Sequence, residues 1–279
     1  MGDLCAAKAV QCDFLRPRNF FGKEAIFMAI STFQRREVKF LLSKEQFDAL
    51  LPVVHTYMNP DAYCVDGKEY GIYNIYYDTP DNFLIRQSIE KPYYKEKLRL
   101  RSYYSPASPD SSVFLEVKKK IGGIVTKRRV AMTLSEAEVY IQSRVKPHYE
   151  RFIDKQVMRE MDVFLNFYDS IQPRQYISYQ RAAFFGKDDP DFRLTFDRQI
   201  TARRCDLTLA KGSYGSQLIL PDQRLMEIKV PGAFPLWMTQ ALSDLQIRKR
   251  SFSKYGRAYL NHVREQIDAQ TEERKIIYA

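Results

Sequence analysis

Apolar and charged residues alternate with a period of two along much of the chain. From Arg35 to Leu42, Val38, Phe40 and Leu42 share one side while Glu37 and Lys39 share the other, the pattern of a strand with one buried face. Ser43-Lys44-Glu45-Gln46 follows and reads as a capping box, in which serine and glutamine satisfy each other's free backbone donors and open a helix to about Val54. Ile72–Asp78, rich in tyrosine and isoleucine and stopped at Thr79-Pro80, is predicted as a strand. In Lys97-Leu98-Arg99-Leu100-Arg101 the alternation is sharpest, with three cations on one face and two leucines on the other. After a Ser/Pro/Asp loop, Val113–Ile121 and Ile124–Met132 flank Gly122-Gly123, a hairpin signal because both turn positions need positive φ. That turn places Glu116 opposite Arg129 and Lys118 opposite Lys127 on one face, with Leu115, Val117 and Val130 on the other.

Thr133 to about Ile171 has a helical pattern, expected as two helices broken at Pro147. Strands resume at Tyr176–Phe184, where Tyr179 and Arg181 share a face, and at Phe192–Ile200, where Arg193, Thr195 and Asp197 alternate with Phe192, Leu194 and Phe196. Met226–Val230 sets Glu227 and Lys229 against Met226, Ile228 and Val230. Helices over Pro235–Leu245 and Ser253–Ile267 complete the pattern, divided from the last strand by Pro231-Gly232. Residues 1–32 have no clear period and are set apart as an N-terminal extension, with Met28 an alternative start. Residues 33–270 form one expected domain, followed by a tail at 271–279.

Composition narrows the chemistry. With 279 residues, 45% of them apolar, the chain can bury a sizeable core, and its net charge of +10 favours a polyanionic partner. Four cysteines and three histidines are scattered without ligand spacing, which argues against a zinc site or a disulfide framework and suits a reducing cytoplasm. No apolar run approaches the ~20 residues that span a bilayer, and a secretory signal is not expected at the N-terminus. Neither Gly-rich phosphate loop occurs, nor does an RNA-recognition signature with paired aromatics, so nucleic acid is set aside.

Long charged side chains thus occupy one face of several strands. They could be solvated on the wet side of an open sheet. The alternative is an α+β fold in which a closed antiparallel β-barrel turns its apolar face outward against helices and its charged face into a lumen. Inward Lys and Arg in such excess repel one another unless an anion lies between them, and phosphate chains suit both the bidentate arginine and the point-charged lysine. Glu116 and Glu227 would repel phosphate. Either each holds a divalent cation jointly with phosphate oxygens, or each is the ion-pair partner of a neighbouring arginine.

The succession Arg36-Glu37-Val38-Lys39-Phe40, Tyr76-Tyr77-Asp78-Thr79-Pro80, Lys97 to Arg101, Phe114-Leu115-Glu116-Val117-Lys118, Lys127-Arg128-Arg129, Tyr179-Gln180-Arg181, Arg193 to Asp197, Met226-Glu227-Ile228-Lys229 and Phe252-Ser253-Lys254-Tyr255-Gly256 resembles the catalytic domain of the vacuolar transporter chaperone family. That domain is a polyphosphate polymerase among the triphosphate tunnel metalloenzymes. The resemblance covers about Phe33 to Leu260. It implies a tunnel-shaped barrel that moves the γ-phosphate of ATP onto a growing polyphosphate chain with Mn²⁺ or Mg²⁺. It places phosphate contacts at Lys39, Arg99, Arg101, Lys118, Lys127, Arg181, Arg193 and Lys254, Tyr179 beside them, and the metal at Glu227; alternation adds Lys229, and Lys97, Arg129 and Glu116 share the same faces. Triphosphate hydrolysis in the same tunnel and polyphosphate binding without turnover are the alternatives. Arg35 stands where the wider superfamily often has the first Glu of Glu-x-Glu-x-Lys, so a second metal carboxylate is lost or supplied elsewhere. The phosphate-sensing domain and membrane helices of the eukaryotic complex are not found in the sequence, which implies a free-standing cytoplasmic enzyme and leaves a membrane-protein partner open.

Overall fold

A computed structural model of the chain describes residues 36–168 and 170–277; the expectations for residues 1–32, for Met28 and for Arg35 lie outside them. The elements, in order, are β1 (Arg36–Leu42), α1 (Lys44–Tyr57), β2 (Met58–Pro60), β3 (Tyr70–Asp78), α2 (Phe83–Ile89), β4 (Tyr94–Ser102), β5 (Ser112–Ile121), β6 (Ile124–Thr133), α3 (Leu134–Ser143) and α4 (Phe152–Phe167). There follow β7 (Gln172–Gly186), β8 (Arg193–Arg203), β9 (Ser216–Gln217), β10 (Arg224–Val230), α5 (Leu236–Asp244) and α6 (Lys254–Ile277). The capping box forms as the sequence predicts, Ser43 Oγ accepting from the Gln46 N–H and the Gln46 side chain accepting from the Ser43 N–H. The two-glycine hairpin keeps its expected register, Ile121 opposite Ile124 and Glu116 opposite Arg129.

The strands make one mixed-length antiparallel sheet in the order β1-β10-β8-β7-β3-β4-β5-β6, with β2 on β7 and β9 on β8. The α+β antiparallel architecture matches the expectation, but its hydrogen-bonded closure does not: no ladder joins β1 to β6 among the described residues. The outer edge of β1 is taken instead by the segment leading into α6, through a bridge between Phe40 and Lys249 and a bond from the Arg250 N–H to the Lys39 carbonyl (2.8 Å). The sheet is nonetheless strongly curled. Glu37 on β1 and Lys118 on β5 approach to 3.7 Å although β10, β8, β7, β3 and β4 lie between them in the ladder.

Curling gives the sheet a convex and a concave side with different cores. On the convex side α3 and α4 cover β3 to β6 through Leu98, Leu100, Leu115, Val130, Tyr140, Met161 and Phe164. There too α1 and α5 cover β1, β10 and β8 through Val38, Phe40, Leu50, Val54, Leu194, Ile228 and Met238. Alternation puts the apolar residues of these strands against helices, where burial of such side chains stabilises each by roughly 1.5–3 kcal/mol. The other two helices are placed differently. Ile85 of α2 and Tyr255 and Ala258 of α6 pack with Ile72, Tyr76, Tyr179 and Leu225, which project from the concave face. Thus α2 and the first turns of α6 fill part of the inner side rather than joining the outer layer.

Asp78 fixes this plug. Its carboxylate accepts from the N–H groups of Leu84 and Ile85 at the start of α2, and from the Tyr255 hydroxyl (2.8 Å). Tyr255 in turn stacks on Tyr76, with ring centroids 4.7 Å apart. Ser253 begins α6 by accepting from the Gly256 N–H (3.1 Å), so the next residue, Lys254, is aimed into the concave face.

Candidate functional site

Strand register brings the predicted charged residues to one surface. Side chains directly opposite in a ladder lie on the same side of a sheet, and the pairs Lys39–Glu227, Glu37–Lys229, Arg193–Lys229, Asp197–Arg181, Arg99–Glu116, Lys97–Lys118, Lys118–Lys127 and Glu116–Arg129 run across seven of the strands. Lys254 joins them from α6. The face divides into two groups, each organised on buried carboxylates.

The first group lies on β4, β5 and β6. Glu116, 1% exposed, accepts from Arg99 Nε (2.5 Å) and Lys127 Nζ (3.3 Å), with Arg101 Nε at 4.0 Å. Arg99 also donates to the Tyr76 hydroxyl (3.3 Å) and Arg101 to Asn74 Oδ1 (3.1 Å). Arg129, although opposite Glu116, lies over the Phe114 ring at 4.9 Å. Burial works against the Glu116 carboxylate, but Arg99, Arg101 and Lys127 overcome it and hold the group well below the usual carboxylate range. Beside it runs the lysine row of Lys97, Lys118 and Lys127. Burial, reinforced by Lys118 and other nearby cations, pushes Lys97 down to about 7, and burial pushes Lys127 down to about 8 despite Glu116.

The second group lies on β1, β7, β8, β10 and the start of α6. Glu227 meets Lys39 Nζ (3.2 Å), Lys254 Nζ (3.1 Å) and Arg181 Nη2 (3.8 Å). Two further carboxylates flank it. Glu37 shares Lys39 with it (3.2 Å), and Asp197 shares Lys254 (2.5 Å). Asp197 also takes Arg181 bidentately, at 2.6 and 2.7 Å. Tyr179 lies under Arg181 and Lys254, its ring centroid 5.2 and 4.5 Å from the two charges. Glu227, despite its burial, is held well below the carboxylate range by Lys254, Lys39 and Arg181, and in the less buried Glu37 partial desolvation is outweighed by Lys118 and Lys39, which hold it at about 2. Lys229 has no such close partner among the described residues, and burial lowers it to about 8. Arg193 stands opposite Lys229 at the edge of this group, its Nε donating to the Pro190 carbonyl (3.4 Å).

The sequence reading named neither Glu37 nor Asp197 as a site residue, though period-two alternation placed both on the charged faces. The role of Asp78 in seating Tyr255, and so Lys254, had no local signal, because its partner lies 177 residues away.

Arg181, Lys254, Lys39 and Lys229 form one cationic wall and Arg99, Arg101, Lys127 and Lys97 another, facing each other across a curled sheet. Such a surface is complementary in charge to a multiply charged anion. The chain belongs to the VTC domain family, which it matches over residues 34–262. Membership supports a polyphosphate-related enzyme on a tunnel fold. No curated protein matches the sequence. Among solved structures, the chain is similar to a putative adenylate cyclase from Bacillus halodurans, at 16% identity and a TM-score of 0.47, over 79% of this chain and 93% of that one. It is also similar to the Hippeastrum putative adenylyl cyclase described as having a dominant triphosphatase activity, at 15% identity and a TM-score of 0.48, over 81% and 95% of the two chains.

A divalent cation, as such enzymes use, can be tested against the donor set. Among the described residues no three or more His, Cys, Asp or Glu side chains are grouped to hold a metal ion. Mg²⁺ and Mn²⁺ on phosphate substrates need less, commonly one or two carboxylates with phosphate and water oxygens completing the shell. Glu227 and Glu37 fit this, since their carboxylates converge at 3.2 Å each on one cationic centre, Lys39 Nζ. No helix among the described residues is long and apolar enough to cross a membrane.

Proposed function

We propose that the concave face is the active site of an ATP-dependent polyphosphate polymerase. The observation that carries the reading is the excess of cations over carboxylates on an inward-curled surface, with the half-buried Lys97 and Lys229 pushed down toward neutral pH by desolvation. A linear polyphosphate supplies the missing negative charge at regular spacing. The phosphorus–oxygen bond between the γ-phosphorus of ATP and the β,γ-bridging oxygen breaks, ADP leaves with that electron pair, and a terminal oxygen of the acceptor chain forms the new bond to phosphorus. This chemistry asks for alignment and charge neutralisation rather than a protein nucleophile.

In this reading Lys39, Arg181, Arg193, Lys229 and Lys254 orient the nucleotide phosphates, with Tyr179 beneath. Arg99, Arg101, Lys118, Lys127, Lys97 and Arg129 hold the acceptor chain. Glu227, with Glu37, would hold Mn²⁺ or Mg²⁺, which when bound supplies positive charge shared with phosphate oxygens. Glu116, the other metal candidate from the sequence, is assigned to ordering Arg99 and Lys127. Incubation of the purified chain with ATP and Mn²⁺ tests the proposal. ADP and acid-stable phosphate chains are expected; orthophosphate from triphosphate without chains would make it a hydrolase, and tight polyphosphate binding without turnover would make it a binding module.

A further inference from the structure

Arg174 at the start of β7 and Arg204 just after β8 converge on a single neutral acceptor. Arg204 Nη2 donates to Asn82 Oδ1 at 2.7 Å, and Arg174 Nε donates to the same oxygen at 3.2 Å. Arg204 Nη1 also reaches Gln175 Oε1 at 3.5 Å. Neither guanidinium has an ion-pair partner among the described residues. Both are only partly buried, as is His262 of α6 beside them. Each cation disfavours the other and the imidazole: Arg204, first through burial and then through Arg174, is held below its ordinary value, and so is His262, through burial and then Arg204. Two like charges drawn to one amide oxygen leave their remaining donors for an anion. Asn82 holds its left-handed φ of 61° with its side chain committed to the arginines, while Asp78 caps α2 in its place. Tyr255, bonded to Asp78 and stacked on Tyr76, stands between this cluster and Lys97 of the concave face.

We propose that Arg174 and Arg204, held together by Asn82, form a second anion site that binds one phosphate group, outside the polymerase centre. The group can be free orthophosphate or a phosphate of a polyphosphate chain. The site does not rest on the polymerase reading.

Equilibrium dialysis of the full chain against labelled orthophosphate tests it. Asn82→Asp places a carboxylate between the two arginines, so it should remove one bound phosphate per chain without lowering Tm. Arg174→Gln/Arg204→Gln should weaken the same component by roughly tenfold or more, the loss expected for charge-assisted hydrogen bonds. Unlabelled polyphosphate that displaces this Asn82-dependent phosphate identifies a chain as the occupant; failure to displace it identifies the free ion. Wild-type stoichiometry and affinity in Asn82→Asp and in the double variant would overturn the site.

Discussion

The two halves of the concave face hold similar cations around different numbers of carboxylates. On β4 to β6 a single buried carboxylate, Glu116, serves Arg99, Arg101 and Lys127. On β1, β7, β8, β10 and α6, Glu227, Glu37 and Asp197 alternate with Lys39, Arg181 and Lys254. The first half is cation-rich and poor in acceptors, a surface that needs an anion. The second is close to internal balance, and a substrate there must rearrange ion pairs that already exist. Carboxylates crowded together at a substrate-phosphate surface oppose anion binding unless a cation intervenes, whereas one carboxylate among three cations mainly fixes their geometry. The halves therefore differ in kind, and the proposed function gives chain-holding to one and metal-assisted transfer to the other.

The largest expected effect separates the two glutamates. Glu227→Gln should lower polymerase turnover on the order of a hundredfold or more, because losing a metal's charge stabilisation costs several kcal/mol, while polyphosphate binding stays intact or tightens. Glu116→Gln should keep most of the turnover; if its loss equals that of Glu227→Gln in steady-state kinetics, the division between halves is wrong. Next in size are Arg99→Ala, expected to weaken polyphosphate binding, and Arg181→Ala, expected to weaken ATP binding, each by ~1.5–3 kcal/mol, as read by calorimetry. Arg99→Ala should also lower Tm, since it strips a hydrogen bond from a carboxylate that is 1% exposed.

A smaller effect is linked to pH. Lys97, at about 7, and Lys127 and Lys229, at about 8, lie below the ordinary lysine value of 10.5. An unfolded chain binds more protons than the folded one between these values and 10.5, so stability of the free protein rises with pH through that window and carries the full penalty below about 7. Polyphosphate favours the charged lysines, so its binding at pH 8 should take up protons. Calorimetry in buffers of different ionisation enthalpy should therefore give different apparent heats; identical heats would contradict the cationic reading. The smallest effect belongs to the contact across the opening. Glu37 and Lys118 are 29% and 43% exposed, and Lys118→Met should change stability by only ~0–1 kcal/mol in denaturant unfolding.

Much of this surface was legible because period-two alternation survives in the folded strands. Lys97, Arg99 and Arg101 stand where the pattern put them, and the two glycines after Ile121 fixed the facing of Glu116 and Lys127. The signal failed where contacts skip the ladder. The sequence reading ends a strand at Thr79-Pro80 and expects no helix after it, and α2 forms just beyond because Asp78, outside the helix, accepts its first N–H groups. Closure of the sheet depends on which segment reaches the free edge of β1. Lys249 and Arg250 do so, from a stretch with no strand pattern of its own. The register shift on β7 between Ser178 and Gln180, opposite the left-handed Gln199 on β8, is likewise absent from the alternation. It leaves Tyr179 and Arg181 on one face and lets Ile200 and Ala202 rejoin the concave apolar cluster.

The difference between the halves is read most directly by Mn²⁺ binding, followed by electron paramagnetic resonance as the ion is titrated into the full chain with triphosphate present. The account predicts that Glu227→Gln loses the bound Mn²⁺ signal and Glu116→Gln keeps it. Retention of wild-type Mn²⁺ affinity in Glu227→Gln, or its loss in Glu116→Gln, would contradict the assignment.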